Sequence, residues 1–381
     1  MGIKICFVTN NRAEYGLIHP LIKTAKKLQK FEVSVIATCS HLASSFGRTI
    51  SEIEKDGVLV DYEIECLVDS STPQGAAVTI GNLTTQIGLC FQRIKPDWIV
   101  VLGDRYELLA IASAATVHRI PIAHIAGGDV TKGAFDDQIR HAITKLSYLH
   151  FTSNTESQRR VIQMGEDKSR VFATGCLSKE NFHKTPKLSK AEIEKRLNTT
   201  LPEKVALVTF HSETNNPGRA YAYCKETLKA LDESSLFSII TQPNQDPEGR
   251  EIEVLIQEYT DNNPDKAIYY KSLGRELFIS TLAISTIMIG NSSAGIAEAP
   301  LALTPTLNLG ERQSGRPEEP SIITLQTPDL NSIREAINTL LESKYEYKDN
   351  HSNQDIALEI LETIFSFQHS SSRKDFVDLT P

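Results

Sequence analysis

Short apolar runs rich in β-branched residues alternate with amphipathic stretches along most of this chain, and that alternation limits the folds it can adopt. The first run, Ile3–Thr9, is almost continuously apolar, as expected for a strand buried on both faces of a parallel sheet. The stretch Tyr15–Gln29 follows, with its apolar residues on one helical face. Strand–helix–strand alternation of this kind predicts α/β architecture with a doubly wound parallel sheet.

The alternation falls into two blocks, and a length of 381 residues also suits two domains of ordinary size. The pattern is lost in the polar stretch between Gly175 and Lys204, then resumes with the strand-like run Val205–Phe210. A last helix is predicted at Ser352–Ser366. We therefore predict an N-terminal Rossmann-like domain over residues 1–176, a C-terminal Rossmann-like domain over 204–351, and a C-terminal helix and tail over 352–381. Two such domains are expected to face a cleft at the carboxyl ends of their strands, where α/β proteins bind ligands.

Candidate residues for acid/base chemistry are concentrated between positions 103 and 141, at the predicted ends of strands. Asp104 and Asp129 each follow a strand, and Asp136 begins a helix. Neighbouring strand ends can bring three carboxylates into one pocket, where each raises the pKa of the others and enables acid/base catalysis. The alternative is structural: helix capping would explain Asp136, and turn chemistry would explain Asp129.

A second polar group lies in the C-terminal block and is suited to an anion. Ser292 and Ser293 follow a strand and open a short helix, whose N–H groups could hold a phosphate. Glu298, one turn on, could bind a ribose diol or cap the turn, and an ordinary N-cap is the alternative for the serines. His211, also at a strand end, could donate to a phosphate or a leaving oxygen, although a lone histidine is more often structural.

Arginines in strand-end loops could bind a diphosphate. Arg12 follows the first strand, and Arg312 and Arg316 lie in a glycine-containing loop. A guanidinium at the carboxyl end of a strand is well placed to pair with a diphosphate, whereas a surface arginine elsewhere is usually solvated.

Several classes of function are excluded by composition and motif. A formal charge of -8 without a long basic run argues against nucleic acid or an anionic membrane as the partner. The longest apolar stretch, Leu277–Ile289, is too short and too polar to span a membrane. No signal peptide is recognisable, and the 6 scattered cysteines suit a reducing compartment, so we expect a cytoplasmic protein. No GxGxxG motif follows the first strand and no histidine pair has metal-ligand spacing, so we expect neither nicotinamide nor metal.

Six strings occur in an order that resembles the hydrolysing UDP-N-acetylglucosamine 2-epimerases of sialic-acid-type and legionaminic-acid biosynthesis. They are NNRAEYG, VLGDRYELL, HIAGGDVTKGAFDDQIRHAITKLSYLHFTS, FHSET, IGNSSAGIAEAP and LGERQSGR. The resemblance implies a fold of glycosyltransferase-B type and cleavage of UDP-GlcNAc to UDP and N-acetylmannosamine, without cofactor. It also implies a homo-oligomer, dimer or tetramer. The alternatives are the same chemistry on UDP-2,4-diacetamido-2,4,6-trideoxyglucose, a glycosyltransferase, or a catalytically inactive binder of nucleotide sugars.

The resemblance also implies roles for individual residues. The family's catalytic acids match Asp104 and Asp136, and its histidine matches His211. Its UDP-binding serines and glutamate match Ser292, Ser293 and Glu298, and members contact the nucleotide at positions matching Arg12, Arg105, Asn244, Arg250 and Arg312. The chain departs from the family where some members have glutamate at the position of Ala126, and where others have a glutamate at that of Asp129.

Overall fold

The computed structural model describes residues 2–69, 72–244, 246–316, 319–346, 355–368 and 373–378. Its strands are β1 (Ile3–Thr9), β2 (Phe31–Thr38), β3 (Tyr62–Ile64), β4 (Trp98–Leu102), β5 (Ile122–Ile125), β6 (Leu149–Phe151), β7 (Val171–Phe172), β8 (Val205–Thr209), β9 (Phe237–Thr241), β10 (Ala267–Tyr270), β11 (Ile287–Gly290), β12 (Thr306–Leu309) and β13 (Ile322–Leu325). Its helices are α1 (Arg12–Lys27), α2 (Ile50–Lys55), α3 (Pro73–Ile94), α4 (Glu107–Val117), α5 (Asp136–Leu146), α6 (Thr155–Gln163), α7 (Leu177–Lys184), α8 (Lys190–Leu197), α9 (Arg219–Asp232), α10 (Gly249–Asn262), α11 (Gly274–Ile284), α12 (Ala294–Ala297), α13 (Leu330–Glu342) and α14 (Ile356–Ser366). None of these helices is long and apolar enough to cross a membrane.

The chain divides into two compact units. Unit 1 comprises Met1–Asp129, Asp136–Asn181 and Asn353–Pro381, and unit 2 comprises Val130–Phe135 and Phe182–Ser352. The short segment Val130–Phe135 interrupts the N-terminal half because it bonds to loops of unit 2: the Lys132 N–H donates to the Ser314 carbonyl at 3.3 Å, and the Phe135 N–H to the Thr214 hydroxyl at 2.9 Å.

Unit 1 contains a seven-stranded sheet in the order β3-β2-β1-β4-β5-β6-β7. Every strand pair in it is parallel, and apolar residues cover both faces. The strand order reverses between β1 and β4, so the loops after these two strands flank the point where α/β sheets bind ligands.

Unit 2 contains a six-stranded parallel sheet in the order β10-β9-β8-β11-β12-β13. Its order reverses between β8 and β11, and its two faces are again covered by apolar clusters. Both units therefore have the strand order of the Rossmann fold, which confirms the predicted pair of doubly wound parallel sheets.

The structure contains elements that the sequence analysis does not predict. The polar stretch after Gly175 forms α7 and α8, and the second of these begins with a capping box between Ser189 and Glu192. Beyond β11 the chain forms β12, β13 and α13. At the C-terminus α14 begins at Ile356, and the first residues of the predicted helix, 352–354, lie outside the described part of the chain. Helix α14 packs in the apolar core of unit 1.

A buried carboxylate in unit 1 holds the C-terminal tail. Glu166, with only 1% of its side chain exposed, accepts hydrogen bonds from Lys145, His150 and Lys374. Burial alone would raise the pKa of Glu166, but the three donors outweigh it and lower the pKa to about 2. The tail is thereby fastened to the segment that follows β6.

We expect Lys374→Ala to lower the free energy of unfolding by about 2 kcal/mol, because the buried carboxylate of Glu166 loses one of its charged donors. Burial lowers the pKa of Lys374, although Glu166 opposes the shift. The cost of burying the charged lysine therefore offsets part of the stabilisation, and the expected loss comes from the hydrogen bonds that Glu166 no longer accepts. The depressed pKa of Glu166 stabilises the fold above pH 4.5 and loses its effect as the pH falls toward about 2. In urea unfolding, the free energies of unfolding of wild type and Lys374→Ala should therefore differ less at pH 3 than at pH 7.

The matched control is Lys30→Ala. Lys30 also joins the C-terminal segment to the rest of unit 1, through Glu362, but both side chains are at least 40% exposed. An exposed pair of this kind contributes less than about 1 kcal/mol. Equal losses in the two variants would show that the Glu166 cluster has no special role.

Candidate functional site

A buried arginine joins two of the predicted acids at the carboxyl edge of the unit 1 sheet. The Arg140 side chain is 1% exposed, and its Nη2 donates to the carboxylate of Asp104. Its Nη1 donates to the backbone carbonyl of Asp129 at 2.8 Å and lies 3.5 Å from Oδ1 of Asp137. Because β4 and β5 are neighbours, Asp104 and Asp129 follow adjacent strands, as expected from the sequence. The guanidinium balances the charge of Asp104 and fixes its position.

The carboxylate of Asp129 is held by hydroxyl groups. Its Oδ1 accepts from the Ser153 hydroxyl at 2.5 Å and from the Ser157 hydroxyl at 2.6 Å. From the sequence we expect Asp104, Asp129 and Asp136 to act on one another as like charges. The contacts in unit 1 add a cationic partner for Asp104 and two hydroxyl donors for Asp129, which the sequence did not indicate.

Asp136 is the first residue of α5 and is 5% exposed. Helix α5 places Arg140 one turn further along the same face, so the predicted acid and the arginine are presented together. The next residue, Asp137, is more exposed and lies 3.6 Å from His141. Burial lowers the pKa of His141, although the Asp137 carboxylate opposes the shift.

The loops after β1 and β4, at the point where the strand order reverses, hold further charged residues. Arg12 is the first residue of α1, which starts earlier than predicted because Asn11 caps it by accepting from the Glu14 N–H. Arg105 is buried, with Nε 3.6 Å from a carboxylate oxygen of the fully buried Glu107. Burial raises the pKa of Glu14 to about 8. The predicted arginines at this edge are therefore accompanied by buried carboxylates.

In unit 2, His211 follows β8 and is fixed by two elements. The side chain of Asn291, which follows β11, accepts from the His211 N–H at 2.7 Å and donates to the His211 carbonyl at 2.8 Å. The Nδ1 atom of the ring accepts from the backbone N–H of Asn244 at 3.1 Å. A neutral His211 therefore carries its proton on Nε2, which makes Nε2 a hydrogen-bond donor.

The strand end that carries Asn291 depends on a glycine. Gly290 has φ +133°, and a β-carbon at this position would lie 2.0 Å from the Thr209 carbonyl oxygen. Only glycine lets β11 come this close to the end of β8. The serines follow at once: the Ser292 hydroxyl accepts from the Ala294 N–H at 3.3 Å, while the exposed Ser293 makes no side-chain cap for the four-residue helix α12.

The loop after β12 completes this edge of unit 2. Arg312 is buried, and its Nη1 donates to the Asn291 carbonyl at 3.1 Å, as does Nε2 of Gln313 at 2.9 Å. The carboxylate of Glu213 accepts from the backbone N–H groups of Glu311 and Arg312. Burial raises the pKa of Glu213 although these two donors oppose it.

The other predicted nucleotide-binding residues of unit 2 lie on the same side of the sheet. Asn244 follows β9, and Arg250 is exposed near the start of α10. Glu298 follows α12, and burial raises its pKa to about 7, although Arg316 opposes the shift. The strand order brings the loops after β9, β8, β11 and β12 to one edge, so His211, Asn244, Ser292 and Arg312 share that edge.

Two residues of these edges, Arg140 and Asn291, are not among the predicted site residues. Arg140 follows Asp136 at helical spacing, and that spacing is the signal that could have identified it. Asn291 sits inside the predicted anion motif, but its bond to His211 spans 80 residues of sequence and depends on β8 and β11 being neighbours. Within the described residues, no group of three His, Cys, Asp or Glu side chains is placed to hold a metal ion.

Two Rossmann-type sheets, each with charged or hydrogen-bonding groups where its strand order reverses, define a two-domain α/β protein of glycosyltransferase-B type. A family model described as UDP-N-acetylglucosamine 2-epimerase matches residues 23–358. The chain belongs to this family, and its membership of the hydrolysing 2-epimerases is confirmed by its relatives.

The chain is 37% identical over 348 residues to the GDP/UDP-N,N'-diacetylbacillosamine 2-epimerase (hydrolyzing) of Campylobacter jejuni, covering 91% of this chain and 89% of that protein. It is 32% identical to the UDP-N-acetylglucosamine 2-epimerase of Neisseria meningitidis serogroup B, covering 84% and 83%. The crystal structure of Methanocaldococcus jannaschii UDP-GlcNAc 2-epimerase in complex with UDP-GlcNAc and UDP is similar with a TM-score of 0.80 and 15% identity, covering 96% and 100%. This similarity confirms the predicted fold.

Proposed function

We propose that this protein is a hydrolysing 2-epimerase acting on a nucleotide-linked 2,4-diacetamido-2,4,6-trideoxyglucose. It would convert this substrate and water to the nucleoside diphosphate and the free 2-epimer of the sugar. The observation that carries the proposal is that Arg140, one helical turn after the buried Asp136, bonds to the carboxylate of Asp104 and to the backbone carbonyl of Asp129. The choice of sugar is supported by the Campylobacter relative, whose named substrate is N,N'-diacetylbacillosamine, a sugar of this class.

The reaction needs acids near the sugar and donors near the diphosphate. The hydrogen at C2 is not acidic, so the bond from C1 to the diphosphate must break first, which places positive charge at C1. A carboxylate stabilises that charge and another takes the C2 proton, which gives a glycal. Water then adds to C1 while an acid returns a proton to the opposite face of C2. Together, elimination and hydration consume one water and release one nucleoside diphosphate and the free sugar.

We assign the proton transfers to Asp104 and Asp136, with Asp129 as the third candidate. The buried Asp136 begins α5, and Asp104 is positioned by Arg140. In unit 2, the Nε2–H of His211 would donate to the departing diphosphate, with Ser292, Ser293, Arg312 and, from unit 1, Arg12 and Arg105 as further nucleotide contacts. Asn244, Arg250 and Glu298 would bind the nucleoside.

UDP-N-acetylglucosamine is the second candidate substrate, and N-acetylmannosamine would then be the product. The Neisseria relative, whose name gives this substrate, supports it. Ala126 supports the first candidate, because this small apolar side chain follows β5 where some family members have glutamate. An apolar neighbour suits the C6 methyl group of a trideoxy sugar better than a C6 hydroxyl.

The substrate assignment is tested by measuring nucleoside diphosphate release from three compounds: UDP- and GDP-linked 2,4-diacetamido-2,4,6-trideoxyglucose, and UDP-GlcNAc. We expect kcat/KM to be about 10- to 100-fold higher for a diacetamido substrate than for UDP-GlcNAc. Comparison of the UDP- and GDP-linked sugars shows which nucleotide the enzyme prefers, since both occur in the name of the Campylobacter relative. A preference for UDP-GlcNAc would move the assignment to the second candidate.

The role of Glu298 gives a pH-dependent prediction. Burial raises the pKa of Glu298 to about 7, so below that pH the side chain is mostly protonated. It must then lose this proton before it can accept hydrogen bonds from a ribose diol, which weakens binding at low pH. We expect the affinity for the nucleotide sugar to rise about tenfold from pH 6 to pH 8, measured by calorimetry in an Asp136→Asn background that consumes the ligand only slowly. Glu298→Gln should remove this dependence, and an identical pH profile in that variant would assign Glu298 a purely structural role.

A further inference from the structure

Two thiols that the proposed reaction does not use lie in contact at the edge of the unit 1 sheet. Cys39 directly follows β2, and Cys66 lies two residues beyond β3. Their sulfur atoms are 2.9 Å apart, and the residues are 1% and 4% exposed. Strands β2 and β3 are parallel neighbours with Thr38 opposite Ile64, so the two cysteines extend adjacent strand ends.

The backbone at Cys39 gives a second, independent observation. Cys39 has φ +52°, in the left-handed region that favours glycine. This backbone conformation costs a residue with a β-carbon about 1 kcal/mol or more of stability. A non-glycine residue at such a position therefore points to a role for its side chain. The side chain that the chain carries at this strained position is a thiol, aimed at a second thiol.

We propose that Cys39 and Cys66 are a modification site, where a small oxidant such as a peroxide forms a reversible disulfide. In a disulfide the sulfurs are about 2.05 Å apart, so closure requires a movement of about 0.9 Å. Neighbouring strands are about 4.8 Å apart, which is compatible with the backbone separation that a disulfide requires. Disulfides in reducing compartments are typically transient and redox-sensing.

The reaction balances with peroxide as the oxidant. One thiol loses its proton, and the thiolate attacks a peroxide oxygen; the departing hydroxide takes up that proton as water, which leaves a sulfenic acid. The second thiol displaces the sulfenic hydroxyl as another water and forms the sulfur–sulfur bond, so two thiols lose two electrons to one peroxide. A dithiol reductant reverses the reaction by exchange. Burial raises the pKa of the Cys39 thiol, so we expect oxidation over minutes to hours.

The disulfide would act on the end of β1 through the residues beside Cys39. The hydroxyl of Thr38 donates to the Asn10 side chain at 2.7 Å, and the hydroxyl of Ser40 donates to the Asn10 carbonyl at 2.9 Å. Asn10 in turn donates twice to the carboxylate of Glu14 and lies two residues before Arg12. Pulling Cys39 toward Cys66 therefore displaces the residues that fix this strand end. We expect a several-fold loss of turnover, and this effect on activity rests on the proposed function.

The test counts thiols in the full-length protein. The protein is treated with hydrogen peroxide, quenched with catalase, denatured, alkylated and weighed by intact mass spectrometry. Six alkyl groups are expected before oxidation, because the chain has 6 cysteines that are all free, and two fewer afterwards. A peptide joining Cys39 to Cys66 should appear, and a dithiol should restore all the labels. Full labelling after oxidation, or loss of a different pair, would overturn the proposal.

Variants separate the disulfide from its consequences. Cys39→Gly removes one thiol and suits the left-handed backbone, so it should fold at least as well and should not lose the pair of labels. Cys90→Ser is the matched control, since Cys90 is also buried, and it should still lose two labels. If oxidation lowers turnover in wild type but not in Cys39→Gly, the link to Asn10 is supported, and unchanged turnover in the oxidised protein would contradict it. Absence of turnover in both states would contradict the proposed function and leave the thiol count unaffected.

Discussion

Replacing Asp136 with asparagine should lower turnover about 10³-fold and leave folding intact. The side chain is buried at the start of α5 and, in our assignment, exchanges a proton with C2 of the sugar. Asparagine keeps the size and the hydrogen-bonding capacity but cannot transfer a proton, and the loss of a general acid or base costs between about 10² and 10⁴. Steady-state release of the nucleoside diphosphate measures the effect, and the thermal midpoint of unfolding shows whether the fold is retained.

The neighbouring acid gives the matched control for this variant. Asp137 is 27% exposed, and its carboxylate lies 3.5 Å from Nη1 of the buried Arg140 and 3.6 Å from Nε2 of His141. We expect Asp137→Asn to reduce turnover less than tenfold, because Arg140 keeps its bonds to Asp104 and Asp129 in this variant. A large loss in Asp137→Asn with near-normal rates in Asp136→Asn would move the catalytic role by one residue.

Replacing His211 with alanine should lower turnover about 10²- to 10³-fold. Its Nε2–H is the donor that we assign to the departing diphosphate, and removal of one such donor from an active site has an effect of this size. The loop itself should stay in place, because Asn291 binds the backbone of His211 rather than its ring. The loss should therefore appear in kcat, with a smaller change in the affinity for the nucleotide sugar.

His183→Ala is the control for the loss of an imidazole. This residue lies in α7 and is exposed, so its replacement should leave both kcat and KM unchanged. Asn291→Ala tests the positioning of His211, because Asn291 holds the backbone of that residue. It should reduce kcat less than His211→Ala does, since the imidazole is still present and reaches its place in a fraction of the molecules. Near-normal turnover in His211→Ala would mean that the diphosphate leaves without help from this residue.

The alternation of apolar strands with amphipathic helices was sufficient to predict both sheets, because a strand buried on two faces must be apolar along its length. The elements that were missed are short or polar in appearance. Strands β12 and β13 have only four residues each, and α8 presents just two buried residues, Ile193 and Leu197. Helix α13 carries a clearer signal, since Asp329 caps it and Ile333, Ile337 and Leu340 are spaced along one face.

The candidate site could be predicted only as a set of strand ends. Sequence places Asp104, Asp129 and His211 after strands, but it does not say which strands are neighbours. The pairing of β8 with β11 brings Asn291 to His211, and the pairing of β4 with β5 lets Arg140 reach both acids. The guanidinium of Arg140, which α5 brings to Asp104, was therefore not foreseen from the sequence.

Proton NMR of the reaction in D₂O tests the central proposal most directly, with the UDP- or GDP-linked 2,4-diacetamido-2,4,6-trideoxyglucose as substrate and UDP-GlcNAc in parallel. Elimination and hydration predict free nucleoside diphosphate together with the 2-epimeric sugar carrying one deuterium at C2. Asp136→Asn serves as the blank. A released sugar that keeps its C2 hydrogen and its original configuration would show simple hydrolysis, and substrates that all remain intact would show no epimerase activity. Either result would contradict our assignment of proton transfer at C2.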